Sequence, residues 1–161
     1  MRVDGADQRE LFRRWPAGVS VVVAEANGRR AGLTVSSLVS LSLSPPLVGI
    51  SIARSASLFE VLRDSDDWGV SILADDQAAL AWHFARSVPP LVLWDGIAVR
   101  EDNPRLLAGA AGWLVVRTVD AHTAGDHVFF VGAVEWLERG SAESSLVHFD
   151  GRYTGIERNT R

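Results

Sequence analysis

Along most of this chain apolar and polar residues alternate with a period of two, and only three short segments follow the helical period. Residues 18–25 (GVSVVVAE) are apolar and β-branched, which predicts a buried strand. Asn27-Gly28 follows; both residues tolerate positive φ, so the pair predicts a hairpin turn. A second strand is expected over 31–43, ending in the mostly alternating run 38–43, before Pro45-Pro46 interrupt it and 47–53 resumes. Residues 68–73 alternate again. Two long alternating runs, 112–122 and 127–138, are joined by Thr123-Ala124-Gly125-Asp126, and 145–153 reads as one closing strand.

The helical segments are short. Leu11, Phe12 and Trp15 share a face over 7–15, which Pro16 ends. Ser57 and Glu60 have capping-box spacing at the head of 57–64, where Leu58, Val61 and Leu62 supply the apolar face. Asp75 or Asp76 is expected to cap a further helix, in which Leu80 and Phe84 stack, ending before Pro89-Pro90. Residues 88–107 keep neither period and predict a long loop. About seven strands, joined without a helix after each one, predict an antiparallel barrel whose openings are covered by helices. A doubly wound sheet does not fit this order. The whole chain, 1–161, reads as a single domain.

Composition narrows the chemistry. Hydrophobic residues make up 47% and charged residues 22%, as in a folded globular protein. With no cysteine, disulfides, thiolate metal sites, iron–sulfur clusters and redox dithiols are excluded, so any redox chemistry needs a bound organic cofactor. The net charge of −4 and the scattered arginines, densest at Arg13-Arg14 and Arg29-Arg30, argue against nucleic-acid binding. Residues 1–14 lack the apolar run of a signal peptide, and no stretch reaches the ~18 apolar residues of a membrane span. The expectation is a soluble, cytoplasmic protein.

Two polar clusters interrupt the apolar pattern. Arg54-Ser55-Ala56-Ser57 lies at a strand-to-helix junction, where free backbone N–H groups, a guanidinium and two hydroxyls suit a phosphate. The same residues also suit a plain helix cap with a solvated arginine. Thr34, Ser36 and Ser37 are small enough to let a planar ligand approach the backbone, or they form the wet face of an edge strand. Of the four histidines, His83, His122, His127 and His148, none has zinc-motif spacing, and His127 alone starts a strand after a turn. Serine-hydrolase and P-loop motifs are absent.

Taken in order, GVSVVV (18–23), GLTVSSLVSLSLSPPLV (32–48), ARSAS (53–57), WGVSIL (68–73) with a helix ending HFA, AGDHVFFVGAVE (124–135) and FDGRYTGI (149–156) resemble the flavin reductase-like family. These are FMN-binding split barrels, the short-chain reductase components of two-component flavin-dependent monooxygenases. The resemblance implies a Greek-key split β-barrel, a homodimer, and flavin near the subunit interface. It implies that Thr34, Val35, Ser36 and Ser37 meet the isoalloxazine edge and ribityl chain, and that Ala53, Arg54, Ser55 and Ser57 meet the ribityl and phosphate end. Phe84, Ala85 and Arg86 would add contacts. His127 would be the catalytic-site residue near flavin and nicotinamide, with Tyr153 at the same mouth. The implied activity is hydride transfer from NADH or NADPH to FMN or FAD, with reduced flavin passing to a monooxygenase. Other readings are a flavin-binding protein without reductase activity and a pyridoxamine-phosphate-oxidase-like enzyme. One departure stands out: residues 87–96 are shorter and more apolar than the polar loop usual there, which bears on nicotinamide binding.

Overall fold

A computed structural model describes residues 3–86 and 88–156. In chain order the elements are α1 (Gly5–Phe12), β1 (Ala17–Gly18), β2 (Ser20–Ala26), β3 (Arg29–Val35), β4 (Val39–Leu43), β5 (Pro46–Ala53), α2 (Ser57–Arg63), β6 (Asp67–Ile72), α3 (Ala78–Ala85), β7 (Gly112–Ala124), β8 (His127–Arg139), β9 (Leu146–Phe149) and β10 (Arg152–Gly155). Seven strands form one antiparallel sheet in the order β3-β2-β6-β7-β8-β5-β4, and β1-β9-β10 form a second.

The edges of the large sheet, β3 and β4, are consecutive in the chain, with only residues 36–38 between them. So short a link draws one edge toward the other, and the twisted sheet curls into a barrel with an unladdered seam. Ser37 bridges this seam. Its hydroxyl donates to the Ser51 carbonyl at 3.1 Å and accepts from the Ser51 amide at 3.0 Å. It thus satisfies the backbone of β5 just beyond the Val39–Gly49 pair that ends the β4 ladder.

β2 is buried on both faces, which is why its sequence is continuously apolar. Val22 and Ala24 face the barrel interior with Ile50, Ile52, Trp68, Val70 and Phe130, and α2 adds Leu58, Val61 and Leu62. Val19, Val21 and Val23 pack the other way, against Ala81 and Phe84 of α3 and Leu93, Leu107 and Leu146. Trp68 is fully buried, and its indole N–H donates to the Thr118 hydroxyl at 3.0 Å.

Several local expectations are corrected. The predicted strand 31–43 is two strands, because the chain leaves β2 after the Ser20–Val35 pair to reach the opposite edge of the sheet. Pro46 opens β5, where a strand tolerates proline. The closing segment is the hairpin β9–β10, turned by Asp150 (φ 49°) and Gly151 (φ 72°). α1 starts at Gly5, capped by Asp4, and is over by Phe12. Ser57 does not cap α2: Ala56 holds the N-cap position, and Glu60 pairs instead with Arg29 at 3.4 Å. Neither Asp75 nor Asp76 caps α3. Gln77 occupies that position, and its amide accepts from the Ala74 N–H at 3.0 Å and donates to the Ala108 carbonyl at 2.8 Å.

The long loop after α3 is fixed to the barrel. Leu93, Leu106 and Leu107 are buried, the Leu107 amide donates to the Ser71 hydroxyl at 2.8 Å, and the Arg30 guanidinium lies 3.6 Å over the Trp94 ring. Ser87, the first residue of the departing loop sequence, lies outside the described residues. Among the described residues no helix is long and apolar enough to cross a membrane.

Candidate functional site

A groove of about 660 Å³ opens beside the barrel seam. One wall is the end of β3 and the link that follows it, Leu33 to Ser37; a second comes from Ser51 and Ala53 of β5 with Ala56. His127 of β8 and His148 of β9 close one side, and Arg9, Phe12, Arg13 and Trp15 approach from α1 and the turn after it. The walls around the seam are made of short side chains, because this stretch leaves one sheet edge before joining the other. β3 is an edge of the sheet, so the backbone groups on its outer side are not spent on a ladder.

Most of the hydroxyls are already engaged. Thr34 donates to the Ala81 carbonyl at 2.7 Å, tying β3 to α3, and Ser37 is held by Ser51. Ser36 is exposed and, among the described residues, keeps its hydroxyl free. The 34–37 cluster is therefore chiefly a shaped backbone edge with one hydroxyl donor.

At the other end, the turn before β8 and the turn after β5 form one unit. The Arg54 amide donates to the Asp126 carbonyl at 3.0 Å, and the Arg54 guanidinium donates to the Gly125 carbonyl. Gly125 has φ 63°, a conformation that suits glycine in a tight turn. Nδ1 of His127 lies 2.7 Å from Oδ1 of Asp126. A carboxylate only accepts, so Nδ1 carries the proton and Nε2 is left for a ligand. Hydrogen bonding and charge from His127 hold the Asp126 carboxyl below the usual range. Arg54 and Ser55 lie between the lining residues Ala53 and Ala56, exposed to solvent.

The structure thus brings Thr34, Val35, Ser36, Ser37, Ala53 and His127 to one groove, while Arg54 and Ser55 adjoin its lining residues Ala53 and Ala56 without lining it themselves. It does not bring the others to the lining. Ser57 is the exposed first residue of α2. Phe84 is buried in the core 5.3 Å from the Trp94 ring; Ala85 ends α3 and Arg86 is its C-cap. Tyr153 sits on β10 opposite His148, 4.8 Å from the Trp82 ring, where burial pushes its phenol up. Sequence reasoning missed Arg9, Phe12, Arg13, Trp15, Ser51 and His148. Their one visible signal was the apolar face of α1, which the structure leaves exposed. His83 is structural, its Nε2 2.7 Å from the Leu93 carbonyl.

Barrel and groove together define a mainly β protein with an open groove beside its seam, lined by small residues of β3 and β5 and by side chains from α1, β8 and β9. A family model described as a flavin reductase like domain matches residues 12–157, and the chain belongs to that family. The reductase component of 4-hydroxyphenylacetate 3-monooxygenase from Thermus thermophilus is 34% identical over 145 residues, covering 90% of this chain and 92% of that protein. An NADH:FMN oxidoreductase of Rhodococcus erythropolis is 32% identical over 152 residues, covering 91% and 79%. The solved NADH:FAD oxidoreductase of Streptomyces globisporus, in complex with NAD and FAD fragments, superposes with a TM-score of 0.88 at 29% identity, covering 100% of this chain and 99% of that one.

Proposed function

We propose that this chain is an NADH-dependent flavin reductase, one domain long and a cytoplasmic homodimer, that passes reduced FMN or FAD to a flavin-dependent monooxygenase. The observation that carries this reading is the groove, whose lining joins the seam edge at 34–37 to His127, beside the turn that Arg54 braces at Gly125. The residues fit a flavin. A volume of about 660 Å³ falls within the range of small-molecule sites, roughly 300–1,000 Å³. Among the described residues, no carboxylate lines the groove to repel a phosphate. Arg54 gives N–H groups to one turn carbonyl and keeps others for an anion.

In this reading the backbone of 34–37 and the Ser36 hydroxyl hold the ring edge and ribityl chain, and Arg54 with Ser55 holds the phosphate. Bound flavin supplies a two-electron acceptor for the nicotinamide hydride. The protein orients: holding two reactants in register contributes up to roughly 7–11 kcal/mol through effective molarity. His127, with Nδ1–H fixed on Asp126, presents Nε2 as an acceptor when neutral and as a donor only when protonated. It therefore suits the amide N–H of a neutral carboxamide.

Anaerobic mixing of the flavin-loaded protein with NADH tests the reading. Absorbance at the flavin maximum is expected to bleach, saturably in NADH. Flavin binding without bleaching would leave a flavin-binding protein with no reductase role.

A further inference from the structure

The N-terminal helix stands on polar contacts instead of burial. No residue of α1 is buried, and Leu11, Phe12 and Trp15 are 70%, 59% and 68% exposed. At its start Asp4 and Asp7 form a reciprocal capping box. At its end the Arg13 carbonyl accepts from the Asp150 amide at 2.8 Å, and the Arg13 guanidinium lies 3.4 Å from both the Asp150 carbonyl and its carboxylate. A helix fixed in this way presents Phe12 and Trp15 to the groove with nothing packed over them. Exposed aromatic faces lining a cleft mark a binding surface.

Charge specifies the occupant. The chain carries a net −4, yet among the described residues no carboxylate lines the groove. Arg13 is engaged by Asp150 and Glu10, whereas Arg9, which also lines the groove, makes no ion pair among the described residues. A guanidinium that lines the same groove as two aromatic rings suits a ligand that is both anionic and aromatic. In the functional reading above, the flavin phosphate is assigned to Arg54 and Ser55, which adjoin a different wall. Resting on that reading, we infer that α1 and the turn after it hold the non-reacting half of the hydride donor, with Arg9 toward the pyrophosphate and Phe12 and Trp15 toward adenine. Arg9 precedes the stretch, 12–157, that the family model matches.

The test separates the two anions. NAD⁺ is titrated calorimetrically into flavin-loaded parent, Arg9→Ala and Trp15→Ala proteins, and flavin affinity is measured by fluorescence. The side chains are exposed, so circular dichroism and thermal melts should match the parent. We expect NAD⁺ to bind about tenfold more weakly to Arg9→Ala, the loss of one charge-assisted contact, with flavin affinity unchanged. In turnover, Trp15→Ala should raise KM for NADH while leaving KM for reduced nicotinamide mononucleotide, which lacks adenine, at the parent value. Leu11→Ala, outside the groove, should match the parent throughout. Parent-like NAD⁺ affinity in both variants, or a loss confined to flavin, overturns the assignment of α1. A parent that binds flavin but leaves NADH unoxidised removes the functional reading and this inference together.

Discussion

The Asp126 carboxylate and the His127 imidazole are sequence neighbours joined side chain to side chain, Oδ1 to Nδ1, at 2.7 Å. Asp126 is otherwise open to solvent, so its structural effect is to fix the histidine tautomer at the rim of the groove. Replacing His127 by alanine should preserve fold and flavin affinity while NADH affinity or the reduction rate falls about threefold to tenfold, the loss of one hydrogen bond. Single-turnover reduction at varied NADH shows which quantity changes. Asp126→Asn should release the tautomer, seen as mixed Nδ1–H and Nε2–H forms of His127 by nitrogen NMR. The folded Asp126 carboxyl titrates below its unfolded value, so its contribution is present above the ordinary carboxylate range. That contribution is lost as pH falls through the lowered value, and Asp126→Asn should flatten this acid limb.

Arg54 reaches the Gly125 carbonyl with one part of its guanidinium and leaves the rest exposed beside the groove. Arg54→Ala should weaken FMN by about tenfold and riboflavin by much less, because the proposed contact is to the phosphate. Fluorescence titration with both flavins measures the difference. Equal losses would mean that Arg54 acts only by bracing the turn.

The family resemblance implies that Phe84 is a flavin neighbour, but its packing assigns it first to the core. A Cβ on Gly32 of β3 would lie 2.8 Å from the Phe84 ring, so the glycine exists to admit that ring. Phe84→Ala should therefore destabilise the fold by roughly 3–5 kcal/mol, read by denaturant melts, as expected for a large buried ring. Gly32→Ala should also lower the melting temperature by crowding the same ring.

The features legible in the sequence are those decided by neighbours in the chain. Asn27 and Gly28 take φ 53° and 71°, as the hairpin signal requires, and β7 and β8 emerge from the two long alternating runs. Caps were less legible, because several residues competed for each. Asp4 caps a helix that begins before the expected segment 7–15, and Ala56 stands where Ser57 looked the better cap. Half of the groove was out of reach for a different reason. Ala17 is brought to His148 by β1–β9 pairing, and Arg13 to Asp150 by a turn more than a hundred residues away, contacts that no local period encodes.

β4 is an edge strand whose apolar residues are exposed. Val39, Leu41 and Leu43 of this five-residue strand are 42%, 44% and 88% exposed, with Val39 and Leu43 on opposite faces because of the register shift between Ser40 and Ser42. An edge that is both apolar and unpaired is a pairing surface, and the register shift between Ser40 and Ser42 is too local to blunt it. Exposed Trp136 and Leu137 on β8 add to the apolar area that a lone subunit leaves in water. If the chain is a homodimer, as proposed, this edge is a surface that a second copy would cover. Sedimentation velocity at micromolar concentration should find a dimer for the parent. Leu41→Glu with Leu43→Glu should give a monomer whose melting temperature is little changed within the subunit, since neither side chain is buried there. A parent that sediments as a monomer ends the dimer proposal, and a variant that stays dimeric moves the interface away from β4.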